Sequence, residues 1–513
     1  MDPLISILRN SSLLVSAQVV ASLIAMALMV LVSRVLGDVE FGRLHLALSL
    51  TMIFGVVVEF GLSQVVARAV AQERARAGPY LRKAAGLVMV LGALFYGGLV
   101  GAAHLLGYTA EVRWLALILG VLMVTEATSQ LLGALFQAHE QMLVPALARV
   151  AGNAFTLAVV VPLLLRGQGA ATVATVMVLA AAFRVALQAV AVRRLYGFEL
   201  PGPPAPAWRG LLAAGLPFLA AQGLGMFVFR VDVVMLGRMA SEATVGWYGA
   251  ACRLMEAFNF IPQFLTMATF PVAARLWAAR SGEFRPTVRK TLHLLLVVAV
   301  PVAVVLLVLA EEIVGFLFTL DAYGPSVPVL RVHALSLAMV FVDYYLVGIL
   351  MAMGRERVWI AIVGAACVVN PALNVLLIPP TEFWFGNGGI GAAVATLVTE
   401  VFILAWALYA IPAGTFGRAS ARVAARAAVL GGAMAAVLVT GRALGAPWML
   451  AAAFAGVGYL IAVVRLGILP QDVSRWARGM VRRRPAIELI RLAEPNGTAR
   501  VRPAPVPETV KAA

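Results

Sequence analysis

Residues 292–310 read LHLLLVVAVPVAVVLLVLA, a stretch without a single Asp, Glu, Lys or Arg. About twenty such residues, wound as a helix, span the hydrocarbon core of a bilayer. Lipid offers the backbone no hydrogen-bond partners, so a run of this kind must be helical. The alternative, a closed β-barrel, needs short segments of alternating polarity that the sequence lacks. Runs of similar character recur outward in both directions, at 11–33, 44–62, 81–104, 114–137, 143–165, 170–192 and 210–229. They continue at 246–273, 332–353, 358–378, 389–411, 424–444 and 448–464. The fold class is therefore an all-α integral membrane protein of about fourteen transmembrane helices. Composition agrees: 62% of the 513 residues are hydrophobic and 12% charged, where an average soluble domain is roughly a quarter charged.

The net charge of +16 suggests nucleic acid until its placement is considered. With the N-terminus on the cytoplasmic side, 29 Lys and Arg fall in inside segments and 8 in outside ones. That asymmetry places both termini in the cytoplasm and excludes nucleic acid as a partner. The first run is too long for a cleaved signal peptide, and further spans follow it directly. After Arg465 the chain becomes a basic, Pro-rich cytoplasmic tail, whose arginines meet anionic lipid head groups. Cys252 and Cys367 stand alone in apolar segments, so no metal site or cofactor is expected. The longest outside loop, 311–331, is too short for a folded domain, and no HExxH, Gly-rich phosphate loop or His/Cys cluster occurs. No enzymatic activity is expected.

An internal repeat organises the spans. Residues 33–44, SRVLGDVEFGRL, resemble 237–248, GRMASEATVGWY, with Gly42 matching Gly246 at an offset of 204. Similar exits follow, VVARAVA from Val65 and FPVAARL from Phe270. Both repeated loops fall on the same side, so two parallel six-helix halves result, a transporter design with its site between them. The division is 1–209, a first six-helix lobe; 210–412, a second; 413–465, helices thirteen and fourteen; and 466–513, the tail.

At these residues the chain resembles the Wzx-type oligosaccharide flippases of the multidrug/oligosaccharidyl-lipid/polysaccharide superfamily. The family pattern of Arg-x-Leu-Gly followed by Phe-Gly is met by Arg34, Leu36, Gly37, Phe41 and Gly42. Phe60, Gly61 and Leu62 match the Phe-Gly-Leu that ends helix two. Asp232, Val245, Gly246, Tyr248 and Ala251 match an acidic helix seven followed by Val-Gly-x-Tyr-x-x-Ala. The resemblance covers residues 5–465. It implies transfer of an undecaprenyl-pyrophosphate-linked oligosaccharide from the inner to the outer leaflet of a bacterial inner membrane. Membrane lipids, glycosyltransferases and a polysaccharide polymerase are the implied partners.

Ionisable residues inside spans normally face a cavity or a partner. Arg149 and Arg184 lie at similar depth on helices five and six, and two guanidinium groups suit a diphosphate. Arg230 and Asp232 end helix seven; Arg253 and Glu256 begin helix eight, three residues apart on one face. Two readings of this second group stay open. Asp232 pairs with Arg253 and Arg230 with Glu256 as structural ion pairs, or all four line the cavity and exchange partners with substrate phosphates. Glu126, Asp343 and Glu400 read as lone acids near mid-membrane, either coupling sites or protonated hydrogen-bonding groups. Asp343 sits beside Tyr344 and Tyr345, whose rings suit sugar faces. Asn153, Asn259, Asn370 and Asn374 read as interhelical glue, and Pro217, Pro262, Pro301 and Pro371 as helix bends.

Three rivals remain. A lipid II flippase of the same superfamily would carry arginines within helix one, where this chain offers only Gln18 before Arg34. A drug/cation antiporter would stop at twelve helices and rely on acids. A membrane glycosyltransferase would need more than short outer loops.

Overall fold

In the computed structural model the chain is described over residues 3–197 and 206–468, with side chains from residue 20 onward. The tail beyond 468, the side chain of Gln18, and most of the linker at the expected lobe boundary lie outside what is described. Among the described residues every regular element is a helix. Twelve helices are long and apolar enough to cross a membrane.

The crossings number fourteen once two features are counted. Helix α1 (Pro3–Glu59) holds two crossings, folded at Gly37, whose φ of 76° and ψ of 177° interrupt the helix. A side chain at that positive φ would clash with its own backbone, so glycine is what permits the sharp corner. Helix α2 (Leu62–Gln72) completes the second crossing. It is followed by α3 (Ala77–Leu105), α4 (Ala110–Ala138), α5 (Leu143–Leu165), α6 (Ala170–Tyr196) and α7 (Trp208–Met239). The eighth crossing is broken into α8 (Glu242–Glu256) and α9 (Phe260–Ala278), with Pro262 in the first turn of α9. Pro262 thus begins a helix rather than bending one, a position where its missing N–H costs nothing. Then come α10 (Phe284–Val308), the short α11 (Ala310–Leu317) and α12 (Leu320–Tyr323), α13 (Ser326–Ala352), α14 (Glu356–Phe385), α15 (Gly388–Ala410), α16 (Arg418–Ala443) and α17 (Trp448–Arg465).

Helix α1 packs on α3, α4 and α5, and α6 packs on α4 and α5. In the second half, α13 is central, packed on α8, α9, α10 and α15, while α14 joins α15 to α7. Helices α16 and α17 lean on α10. The halves meet where α1 runs against α7 and α8.

That seam is tight because of the repeated glycines. A Cβ on Gly42 would lie 2.0 Å from the Glu242 carbonyl oxygen, and one on Gly246 would lie 2.1 Å from the Asp38 carbonyl oxygen. No real Cβ tolerates such distances, so both positions must be glycine for the helices to touch. The motif side chains around them close the same end. Arg43 Nε donates to Glu242 Oε2 at 2.5 Å, and Trp247 Nε1 donates to Asp38 Oδ2 at 2.9 Å. Arg34 Nε caps the end of α11 through the Leu317 carbonyl at 2.6 Å and also reaches that of Phe316. Phe41 is buried against Tyr323, whose hydroxyl donates to the Ser33 carbonyl at 3.0 Å. Leu36 packs on the core beside the corner. At the far end of the second crossing, Gly61 abuts α7, where a Cβ would lie 2.5 Å from Phe218 Cβ. Glu59 caps α2 there, accepting from the Gly61 and Ser63 backbone N–H groups at 2.8 Å each.

Candidate functional site

A cavity of about 680 Å³ opens within the second half, lined by α7, α8, α13, α14 and α15. Its floor is built around Asp232, which is 3% exposed. The Asp232 carboxylate accepts from Tyr248 Oη at 2.8 Å, Thr396 Oγ1 at 2.6 Å and Asn374 Nδ2 at 2.6 Å. Asn374 also donates to Asn370 Oδ1 at 2.9 Å, one turn earlier on α14. Charge-assisted hydrogen bonds are about twice as strong as neutral ones, so one anion ties α7 to α8, α14 and α15. The expected pairing of Asp232 with Arg253 is therefore replaced. Asp232 satisfies itself with neutral donors, which the packing of four helices brings to it.

The cations stand on the other acid. Arg230 Nη1 lies 3.0 Å from Glu256 Oε1, and Arg253 Nη1 lies 2.8 Å from Glu256 Oε2. The first is the pair read from the sequence; the second follows from the three-residue spacing on one helix face. The Arg230 guanidinium also lies 4.6 Å from the centre of the Phe229 ring. Arg230, Asp232 and Glu256 line the cavity, whereas Arg253 serves it through Glu256.

Asp343 and Glu400 are not lone acids. They approach one another from α13 and α15 on the cavity wall. Tyr344 faces the cavity, but Tyr345 does not: its hydroxyl donates to the Val288 carbonyl at 3.1 Å in the core. Neighbouring ring positions on a helix point about 100° apart, so one cavity takes only one of them.

Arg149 and Arg184 lie in the first half, away from this cavity. Arg184 forms an ion pair with Glu126, and its Nε donates to Ser129 Oγ at 3.1 Å. Ser129 Oγ donates on to Gln188 Oε1 at 3.0 Å. Arg149 stands within electrostatic reach of both Arg184 and Glu126. The two arginines are thus brought together at one place, and Glu126 is their counter-ion rather than a lone acid. The Glu126 side chain is 42% exposed, so the group is open on one side. Of the asparagines, Asn153 does bridge helices, donating to the Ala21 carbonyl at 2.9 Å, and Asn259 lines the cavity.

Sequence reasoning missed Thr396; Asn370 and Asn374 do bridge helices as expected, α14 to α15 through Thr399 and α14 to α7 through Asp232. The available signal was Asn370 and Asn374 at i and i+4 on one face of an otherwise apolar helix. Thr396 carried none.

The profile of the family described as polysaccharide biosynthesis protein matches residues 7–277, more than half of the chain. The chain belongs to this family. A second profile, MatE, matches residues 217–376, which include most of the cavity. Among curated relatives, a probable flippase, AglR, of Haloferax volcanii is 31% identical over 219 residues, 41% of this chain and 43% of that one. A probable multidrug resistance protein, NorM, of Geobacillus kaustophilus is 27% identical over 214 residues, 40% of this chain and 46% of that one. The chain thus spans less than half the length of the relatives it matches. The solved lipid II flippase MurJ, in an inward closed conformation, aligns with a TM-score of 0.71 at 12% identity, covering 89% of this chain and all of that one. An inward-facing MATE family transporter of the MOP superfamily aligns at 0.63 and 14% identity, covering 76% and 94%. These likenesses establish the fold. The family member described here is a multi-pass membrane protein with the fold of these solved structures.

Proposed function

We propose that the protein moves an undecaprenyl-pyrophosphate-linked oligosaccharide from the inner to the outer leaflet of a bacterial inner membrane by alternating access. Both termini are cytoplasmic in this reading, and the Gly42–Gly246 seam is the outer gate. The observation that carries the proposal is the gathering of Arg149 and Arg184 around Glu126, open on one side, within the stretch that matches the polysaccharide family. Two guanidinium groups held beside an exchangeable carboxylate can pass from that carboxylate to the oxygens of a diphosphate without leaving a buried charge unpaired. The polyprenyl chain stays in lipid while the sugars occupy the space between the halves. Depletion should trap the lipid-linked glycan on the inner leaflet, read by access of a membrane-impermeant lectin or glycosidase to spheroplasts. Unchanged outer-leaflet glycan in depleted cells would overturn the proposal.

The acid-rich cavity of the second half, most of it within the MatE match, favours a second reading, a drug/cation antiporter. Proteoliposomes of the full chain separate the two. Drug-cation efflux without movement of lipid-linked sugar favours the antiporter, and the converse favours the flippase.

A further inference from the structure

The two acids of the cavity wall differ from Asp232 in one respect. Asp232 has three donors; Asp343 has none. Asp343 is 6% exposed, its side chain borders the cavity, and neither of its carboxyl oxygens meets a hydrogen-bond donor. Its immediate neighbour is the carboxyl of Glu400. Ionised carboxylates only accept hydrogen bonds. Two of them facing each other in a dry wall repel, and the repulsion is relieved when one carries a proton that the other accepts.

Among the described residues the charged groups around the cavity are engaged elsewhere. From α7, Arg230 is held by Glu256 and Asp232 by its three donors. From α8, Glu256 is held by Arg230 and Arg253, while Tyr248 gives its proton to Asp232. Cys252 and His333 face each other at 3.7 Å, and Tyr344 borders the cavity beside Asp343. The α14 wall contributes Trp359, Val363 and Asn370, with no ionisable group.

We propose that Asp343 and Glu400 form a proton-binding site in which two carboxyls hold one proton between them and exchange it through the cavity. Resting on the flippase reading, the pair couples cargo movement to the proton gradient. An O–H bond forms at one carboxyl with a proton from the outer side. It breaks when the cavity faces the cytoplasm and releases that proton there, opposite in direction to the cargo.

Two measurements test it on the purified full chain. The first is independent of cargo: infrared difference spectroscopy follows the C=O stretch of a protonated carboxylic acid across pH. A protonated-acid band should persist at neutral pH and be lost in Asp343→Asn and in Glu400→Gln. A wild-type spectrum lacking the band, or a band untouched by both substitutions, overturns the site whatever the protein carries. The second uses proteoliposomes holding a polyprenyl-pyrophosphate-linked oligosaccharide. One proton per cycle allows at most about a tenfold transbilayer accumulation per pH unit. Asp343→Asn and Glu400→Gln should abolish this accumulation, so that whatever exchange of the lipid remains no longer responds to the pH gradient. Accumulation driven by sodium and indifferent to pH overturns the proton assignment. Failure of both exchange and accumulation in wild type, with the infrared band present, faults the flippase reading and leaves the proton site standing.

Discussion

Gly42 and Gly246 are mates twice over. They occupy the same place in two repeats 204 residues apart, and each packs against the backbone of the other's helix. Gly42 meets the carbonyl of Glu242, and Gly246 meets that of Asp38, itself 204 residues before Glu242. The contact is reciprocal, like the interface of a two-fold dimer written within one chain. The flanking side chains obey the same symmetry: Arg43 reaches Glu242 as Trp247 reaches Asp38.

A methyl group at either glycine should hold this seam apart. Overpacking a tight contact costs about 1–3 kcal/mol, enough to shift a closed-to-open equilibrium roughly 5- to 150-fold. In a background with Cys252 and Cys367 replaced by Ser, a cysteine at the fully buried Val245 should label slowly. Adding Gly42→Ala should speed that labelling with little change in thermal stability. Unaltered labelling would show that the seam does not move.

The Arg43–Glu242 pair should matter for gating more than for stability. Its side chains are 26% and 20% exposed, and Thr109 shares Glu242 at 2.6 Å. A partly solvated pair contributes about 1 kcal/mol or less. Glu242→Gln should therefore leave the melting temperature nearly unchanged while opening the seam to the same cysteine label. The double exchange Arg43→Glu with Glu242→Arg should restore slow labelling; failure of that rescue would assign the effect to helix packing alone.

Removing Arg184 should separate function from folding. The Glu126 side chain is 42% exposed and keeps Arg149 within electrostatic reach, so Arg184→Ala should cost about 1 kcal/mol of stability. Transport of the lipid-linked cargo should nevertheless be lost, and likewise in Arg149→Ala. If both variants fold and transport normally, the diphosphate does not bind here.

A pH-sensitive contact joins the end of one span to the short helix α11. Arg442, at the end of α16, lies 2.6 Å from Glu311 and 3.0 Å from Glu312 on α11. The hydrogen bond from Arg442 holds the Glu311 carboxyl below the usual glutamate range. A depressed carboxyl contributes stability above its unfolded pKa and loses it as pH falls through the folded one. The contact should thus be intact at neutral pH and fade in acid. Because both side chains are 46% exposed, the effect on global unfolding should be small. Amide exchange in α11 should rise on acidification in wild type and be raised already at neutral pH in Arg442→Gln. Equal exchange in both at neutral pH would refute it.

Much of the architecture was readable because it depends on local chemistry. Runs without charge must be helices in lipid, and counting them requires no knowledge of packing. The repeat was visible because Gly42 and Gly246 sit in similar surroundings along the chain. The Arg230–Glu256 pair was readable too, since a short connection folds α8 back along α7 and brings its far end level with Arg230. The corner at Gly37 and the break between α8 and α9 were less plain, because helices here continue directly into one another.

Partner choice was not readable, and the reason is physical. In a membrane helix the face toward lipid and the face toward protein are both apolar, so periodicity does not tell which way a side chain points. Asp232 finds Asn374 and Thr396, 142 and 164 residues away, only because α14 and α15 are rotated to present them. Asp343 meets Glu400 for the same reason. The sequence by itself determined that this chain lives in lipid as two like halves carrying buried charges. The tertiary structure alone decided which charges neutralise each other, and which pair of carboxyls was left to share a proton.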